Sequence, residues 1–328
     1  MSMPPWSRGW SFEVYTDQTL TTLVWSFNSI DYAINSMGYY KMKNTNYMNM
    51  DFTVIPIAYN GVPASGSWSF YNMPTQIAQS IAEGMYVVFG VGQLDPSTIL
   101  TAFQGFVRTN VTWFNKYPSP NAVTNITALS GTVFQYSLTK QGITIDLPKG
   151  TVASALSPLI NALGISGFNT FGGVGDYPFP PTKIVAQEWF NALNQFTYIA
   201  QANYTYDPIK NFLNVYPTHK IPSQNYGDET QIPIPLTNLV EYPVIDGYTY
   251  LLTCSKLIDT NLIKFGDVIQ VDTSLIQYQN VGATTSSQQG LNNAIQTSNF
   301  FVYGIQFSGQ LRGGDNSWLQ NITGVLQE

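Results

Sequence analysis

The chain has 328 residues, of which only 10% are charged, against roughly a quarter in an average globular protein. Thirteen Lys and Arg against 19 Asp and Glu leave a net charge of −6, and aromatic residues reach 14%. This balance excludes a disordered chain, which needs high charge and few aromatics, and an electrostatically driven nucleic-acid binder, which needs a basic surface.

The missing charge is replaced by Asn, Gln, Ser, Thr and Tyr, which hydrogen-bond without repelling their neighbours. Such a surface suits a chain that touches other copies or other proteins over much of its area. One cysteine, Cys254, excludes a disulfide framework and a Cys-rich metal site. One histidine, His219, excludes most zinc, haem and proton-relay chemistry. The first residues show no apolar core of a secretory signal. Residues 52–82 and 273–311 lack charge, but Gly, Pro, Asn and Gln interrupt both, so neither reads as a membrane span. Asn110, Asn125, Asn203 and Asn321 begin glycosylation sequons that mean nothing without a secretory route. A cytosolic origin is expected.

Period-two alternation dominates the chain. Met48, Met50, Phe52 and Val54 alternate with Asn49, Asp51 and Thr53, the pattern of a half-buried strand. Trp68 and Phe70 resume it, followed by strands over Tyr86 to Phe89 and Ala102 to Val107. In the middle, Ile143, Ile145 and Leu147 predict a short strand. Leu156, Leu159, Ile160 and Leu163 then form a helical stripe closed by Gly164. Pro158 inside that window predicts a short helix, capped by Ser157 and starting at Pro158. A second helix is expected to start near Thr182, with Val185, Trp189 and Leu193 on one face. Tyr204, Tyr206, Asp207-Pro208, Leu213 and Val215 read as a hairpin. Residues 221–235 read as a linker. Near the C-terminus Phe301, Tyr303, Ile305, Phe307 and Leu311 are expected on one strand face, and Gln306, Ser308 and Gln310 on the other. The fold class is therefore mainly β with a small α+β module. Barrel-like or sandwich-like β parts over residues 1–138 and 223–328 flank the module, which covers 139–222.

The sequence marks no active site. Cys254 lies in the apolar strand Tyr250-Leu251-Leu252-Thr253-Cys254, the setting of a structural thiol rather than a nucleophile. A glycosidase needs two carboxylates at a set separation, but nothing raises Glu241 with Asp246, or Asp267 with Asp272, above other pairs. Asp246 and Asp267 both adjoin glycine and read as turn residues. Gly90-x-Gly92 and Gly172-Gly173-Val174-Gly175 lack the remaining residues of nucleotide-binding loops. Asp259 and Asp315 lack calcium-loop spacing. No cofactor is implied.

Four segments together resemble the baseplate hub proteins of contractile-tailed bacteriophages. Met85 to Phe89 with Phe103-Gln104-Gly105-Phe106-Val107 looks like that family's paired barrel strands. The helix expected from Thr182 with the Tyr204 to Tyr216 hairpin is similar to its central module. Leu239-Val240-Glu241-Tyr242-Pro243, Leu251 to Cys254 and Lys264-Phe265-Gly266-Asp267-Val268-Ile269-Gln270-Val271 resemble a Pro turn followed by barrel strands. Tyr303 to Gly309, with Arg312-Gly313 and Trp318, resembles the closing strand. Many relatives carry His before the Ser-Gly of that strand, where this chain has Phe307, so architecture is carried over and no polar site.

The resemblance implies two tail-tube-like β-barrel domains per subunit. Three such subunits would form a homotrimeric, pseudo-hexameric ring that joins a sixfold tail tube protein to a threefold central spike protein. Further expected partners are a tape-measure protein and the baseplate wedge. DNA would pass the lumen without specific binding, and the location would be the virion tail baseplate, assembled in the host bacterial cytoplasm. Loops at barrel rims carry function, which makes Phe265, Gly266, Arg312 and Trp318 the expected assembly contacts. Competing readings are another tail ring protein (a distal ring or tube initiator), a cell-wall glycan hydrolase, or a carbohydrate-binding β-protein.

Overall fold

The computed structural model describes residues 8–28, 32–34, 40–42, 49–59, 62–93, 99–115, 121–130, 142–207, 210–217, 232–234, 238–246, 251–259, 261–279, 299–310 and 317–326. Its N-terminal part carries β1 (Arg8–Tyr15), β2 (Leu23–Asn28), β3 (Tyr32–Ile34), β4 (Tyr40–Met42), β5 (Asn49–Ile55), β6 (Ala58–Tyr59) and β7 (Ser65–Tyr71). Helix α1 (Thr75–Ser80), β8 (Tyr86–Gln93), β9 (Leu100–Asn115) and β10 (Asn121–Leu129) complete it. The middle holds β11 (Ile143–Leu147), β12 (Gly150–Thr151), α2 (Val152–Leu163), β13 (Gly167–Thr170), β14 (Pro178–Phe179), β15 (Thr182–Ala186), α3 (Trp189–Ala200), β16 (Ala202–Asp207) and β17 (Phe212–Pro217). The C-terminal part adds β18 (Ile232–Pro233), β19 (Val244–Asp246), β20 (Leu251–Leu257), β21 (Val268–Gln270), β22 (Gln277–Gln279), β23 (Asn299–Gln310) and β24 (Trp318–Leu326). The architecture is mainly β with few helices, as expected.

One long sheet joins the two ends of the chain, in the order β2-β1-β8-β9-β10-β7-β5-β23-β24-β20-β19-β22. Its junction is the antiparallel pairing of β5 with β23, in which Thr53 faces Ser308 and Asp51 faces Gln310. Alternation explains why these strands form. Trp10, Phe12 and Val14 of β1, Phe52 and Val54 of β5, Trp68 and Phe70 of β7, and Phe307 of β23 all point into one core. Their rings meet edge to face, with Phe12 at 5.1 Å from Trp68 and 4.9 Å from Phe70, and Phe52 at 5.0 Å from Trp318. Gly309 makes the last contact fit, because a Cβ there would stand 2.5 Å from the Phe52 ring and 2.6 Å from that of Trp318. Phe307 is an inward-facing core residue at 5% exposure.

The central module has its own core, built from the apolar faces of α2 and α3 against β13, β16 and β17. Its four-stranded sheet, β13-β17-β16-β6, takes the short strand β6 from the N-terminal part. Two helix expectations are corrected. Helix α2 begins six residues before Pro158. Thr151 caps it through a reciprocal pair in which the Ser154 amide donates to Thr151 Oγ1 at 3.3 Å and the Thr151 amide to Ser154 Oγ at 2.9 Å. Pro158 sits inside, and the buried stripe of Val152, Leu156, Leu159 and Leu163 outweighs the lost backbone donor. The expected helix from Thr182 is strand β15 instead. It pairs with β11, burying Ile184 and Ala186 and leaving Val185 at 58% exposure, and helix α3 starts only at Trp189.

A third correction concerns β23. The pairing with β24 shifts between Val302 and Gly304, a bulge that reverses the alternation. Phe301 and Tyr303 therefore face the module, while Ile305 and Phe307 face the main core. Of the expected linker, only residues 232–234 are described, and Ile232–Pro233 pairs in parallel with β21.

Candidate assembly surface

The groups weighed for chemistry are dispersed or buried. Cys254 is 5% exposed, and burial pushes its thiol up to about 12, so it stays protonated and unreactive. His219 lies outside the described residues. Burial raises the Asp267 carboxyl, while its Oδ2 accepts the Lys264 amide at 2.6 Å. Asp272 is fully exposed, and the Ser274 hydroxyl and amide hold it below the usual carboxylate range. Among the described residues no three His, Cys, Asp or Glu side chains gather where a metal ion could bind, and no helix is long and apolar enough to cross a membrane.

The broadest feature is the outer face of the long sheet. Strands that send aromatic rings inward must send the intervening residues outward, and in the middle of the sheet those are mainly hydroxyls and amides, flanked by Val111 opposite Asn125 and Leu319 opposite Ser308. One transverse row runs Thr109, Thr127, Ser67, Thr53, Ser308, and the next runs Asn125, Ser69, Asp51, Gln310. A third crosses Gln306, Asn321 and Ser255. Neighbours bond within rows: Ser69 Oγ donates to Asn125 Oδ1 at 2.8 Å, Ser255 Oγ to Asn321 Oδ1 at 2.8 Å, and the Thr109 and Thr127 hydroxyls lie 2.6 Å apart. Asp51 is the one ionisable side chain in these three rows, and it accepts the Tyr71 hydroxyl at 2.8 Å. An open groove of about 420 Å³ follows the face where β7, β5, β23 and β24 meet.

Beneath that groove a buried cation ties the first strand to the last hairpin. Arg8, 2% exposed, donates from Nη1 to the Gln310 carbonyl at 2.6 Å and Ser317 Oγ at 3.2 Å, and lies 5.7 Å from the Trp318 ring centre. An interior ion pair braces the C-terminal part: Lys256 Nζ meets Asp259 Oδ1 at 2.9 Å and the Asn261 carbonyl at 2.7 Å.

The four residues expected as contacts fall in different surroundings. Trp318 is 2% exposed inside the main core and offers a partner no side-chain surface. Arg312 lies outside the described residues. Phe265 and Gly266 form a turn that leans on β23. Phe265 meets Phe301 at 5.8 Å, Gly266 has φ +91°, and its amide donates to the Val302 carbonyl at 3.0 Å. Gln320 fixes this turn from below, since its buried amide donates to the Ile263 carbonyl at 2.5 Å and accepts the Ile263 amide at 3.1 Å. Sequence reasoning missed the most exposed apolar side chains of the module, Tyr198 at 86% and Val185 at 58%. The available signal was the polar stripe Asn191, Gln195, Tyr198 on α3, where a lone tyrosine interrupts the solvent face.

No family model matches the sequence, and no curated protein matches it. Solved structures do resemble the fold. A tail protein from Neisseria meningitidis superposes with TM-score 0.50 at 9% identity, over 96% of both chains. A prophage tail protein from Shewanella oneidensis gives 0.49 at 9% identity, over 96% of this chain and 97% of that one. A chain of the Francisella PdpA-VgrG complex gives 0.48 at 7% identity, over 97% of this chain and 53% of that one. Over nearly its whole length this chain is similar in fold to the Neisseria tail protein.

Proposed function

We propose that the protein is a structural component of a phage tail, a baseplate hub that joins the tail tube to the central spike and leaves an axial channel for DNA. In this reading three copies close into a ring, each supplying two barrel-like units, with domain limits near 138 and 222. The observation that carries it is the hydroxyl and amide face of the long sheet, set on a fold like that of the Neisseria tail protein. A channel wall for DNA must be wide, wettable and poor in cations, because Lys and Arg would hold phosphates and release counterions. The three rows named above contain no Lys or Arg. Hydroxyls paired to one another within the wall compete weakly for the backbone of a passing strand. Trimeric closure and the spike and tube partners are carried by the four-segment resemblance.

Multi-angle light scattering of the chain mixed with its tube protein tests the reading. Three copies per ring are expected, and a closed hexamer of this chain would instead favour a tube or distal ring protein. Peptidoglycan clearing that disappears with a carboxylate substitution would replace the reading with a glycan hydrolase.

A further inference from the structure

Lys256 of β20 is a buried amine with no role in the outer face. It is 2% exposed, and its Nζ donates to Asp259 Oδ1 at 2.9 Å and to the Asn261 carbonyl at 2.7 Å. The same carboxylate holds a further side chain, since Oδ2 accepts Asn238 Nδ2 at 2.6 Å. Asp259 thus carries an amine on one oxygen and a carboxamide on the other. We propose that these three side chains form an isopeptide crosslink, in which Lys256 Nζ displaces ammonia from Asn238 Cγ while Asp259 relays the protons.

The backbone fixes this meeting. Leu239 bridges to Lys256 in the antiparallel sense, and the Val240 amide donates to the Ser255 carbonyl at 2.9 Å. The segment that carries Asn238 therefore runs along one flank of β20, and β24 holds the other, where Lys256 faces Gln320. The Asn261 amide donates to Asp259 Oδ1 at 2.8 Å and pins the carboxylate between the two reactants. Leu257, Ile258 and Ile263, which adjoin the site in sequence, are all buried. A lysine amine withdrawn from water among apolar residues is the setting of a nucleophile, and reactants held on one carboxylate meet at high effective concentration. Asn238 and Asp259 are half-buried, which leaves ammonia a way out.

The step balances without an oxidant or a cofactor. The Lys256 ammonium gives up two protons, and Asp259 relays them in turn to Nδ2 of Asn238. The Nζ lone pair forms the new bond to Asn238 Cγ as the bond from Cγ to Nδ2 breaks, and Nδ2 departs as ammonium. One amide replaces another, and a buried cation, whose desolvation is costly, is removed. The product ties β20 to the segment that precedes β19, so the C-terminal part cannot unzip along that seam. Neither a second copy nor a partner is needed.

Mass spectrometry of the purified full chain tests the proposal. A mass below that of the sequence by one ammonia is expected. Trypsin is expected to leave the bond after Lys256 uncut and to yield one branched peptide joining Lys256 to Asn238. Asn238→Ala removes the electrophile but keeps the pair of Lys256 with Asp259, and it is expected to abolish both the ammonia loss and the branch. Asp259→Ala is expected to leave the chain unlinked, and a branched peptide in that variant would contradict the relay. If Asp259→Ala does not fold, Asn238→Ala decides by itself. A natural chain at full sequence mass, cut by trypsin after Lys256, would overturn the proposal. Loss of ammonia without a branched peptide, the mark of an asparagine succinimide, would overturn it equally.

Discussion

The long sheet and the central module solve the same burial problem with opposite surfaces. Where β7, β5 and β23 meet, alternation places Phe52, Trp68 and Phe307 inside and Thr53, Ser67 and Ser308 outside, so a heavily aromatic core carries a hydroxyl-rich exterior there. In the module, α2 and α3 bury one stripe each, and the remaining faces leave Tyr198 and Val185 in solvent. The difference teaches a division of labour: the middle of the sheet offers breadth without adhesion, while Leu23 and Val111 at its flanks and Tyr198 and Val185 on the module are side chains that gain by being covered.

The contrast is broken most severely from inside the sheet. Trp68→Ala empties a fully buried site ringed by Phe12, Phe89 and Phe103, and a loss of about 3–5 kcal/mol is expected, read as a fall in denaturant midpoint. Gln320→Leu strands both polar groups of Ile263 and is expected to cost about 1–3 kcal/mol for each unsatisfied group. Faster amide exchange over residues 263–267 would accompany it. Thr151→Ala removes the α2 cap, and a loss of about 1 kcal/mol is expected in thermal melts. Thr53→Val on the outer face is expected to change stability by no more than about 0.5 kcal/mol. A large effect there would mean that the face is structural rather than presented.

Titration sharpens the same comparison. Burial holds the Asp267 carboxyl above its ordinary range, so the folded chain binds that proton more tightly than the unfolded chain does. Its stabilising contribution is complete below the ordinary carboxylate value and is lost as pH rises through the raised one. The exposed Asp17 and Asp272 are held below that range and act in the opposite sense, losing their contribution as pH falls. Melting curves between pH 3 and pH 7 should show Asp267→Asn gaining on the natural chain as pH rises. A constant difference would contradict the assignment. Cys254 should resist alkylation at pH 8 until denaturant is added, since its thiol is held near 12.

The strands were legible because period-two patterning is local: Phe52 and Val54, or Trp68 and Phe70, announce their shared face within a few residues. The start of α2 was hidden because Pro158 reads as a first-turn residue, whereas the cap lies at Thr151 and only the buried stripe shows that the helix runs through. Thr182 to Ala186 fits a helical face on spacing alone, and pairing with β11 decides for a strand. The β23 bulge left no trace in the alternation, so Tyr303 was assigned to the wrong face. Trp318 was grouped with its neighbouring loop although the Phe52 ring and Arg8 enclose it. The outer face was half visible in Asp51 and Thr53. Its breadth depends on β5 meeting β23, a contact between opposite ends of the chain that no local pattern encodes.

The central claim concerns where that face points. Electron cryomicroscopy of the ring assembled with its tube protein tests it most directly. The account predicts an axial opening wide enough for duplex DNA, with Thr53, Ser67 and Ser308 on its wall and Tyr198 against a neighbouring subunit or partner. A ring with that face turned outward, or an assembly with no axial opening, would contradict it.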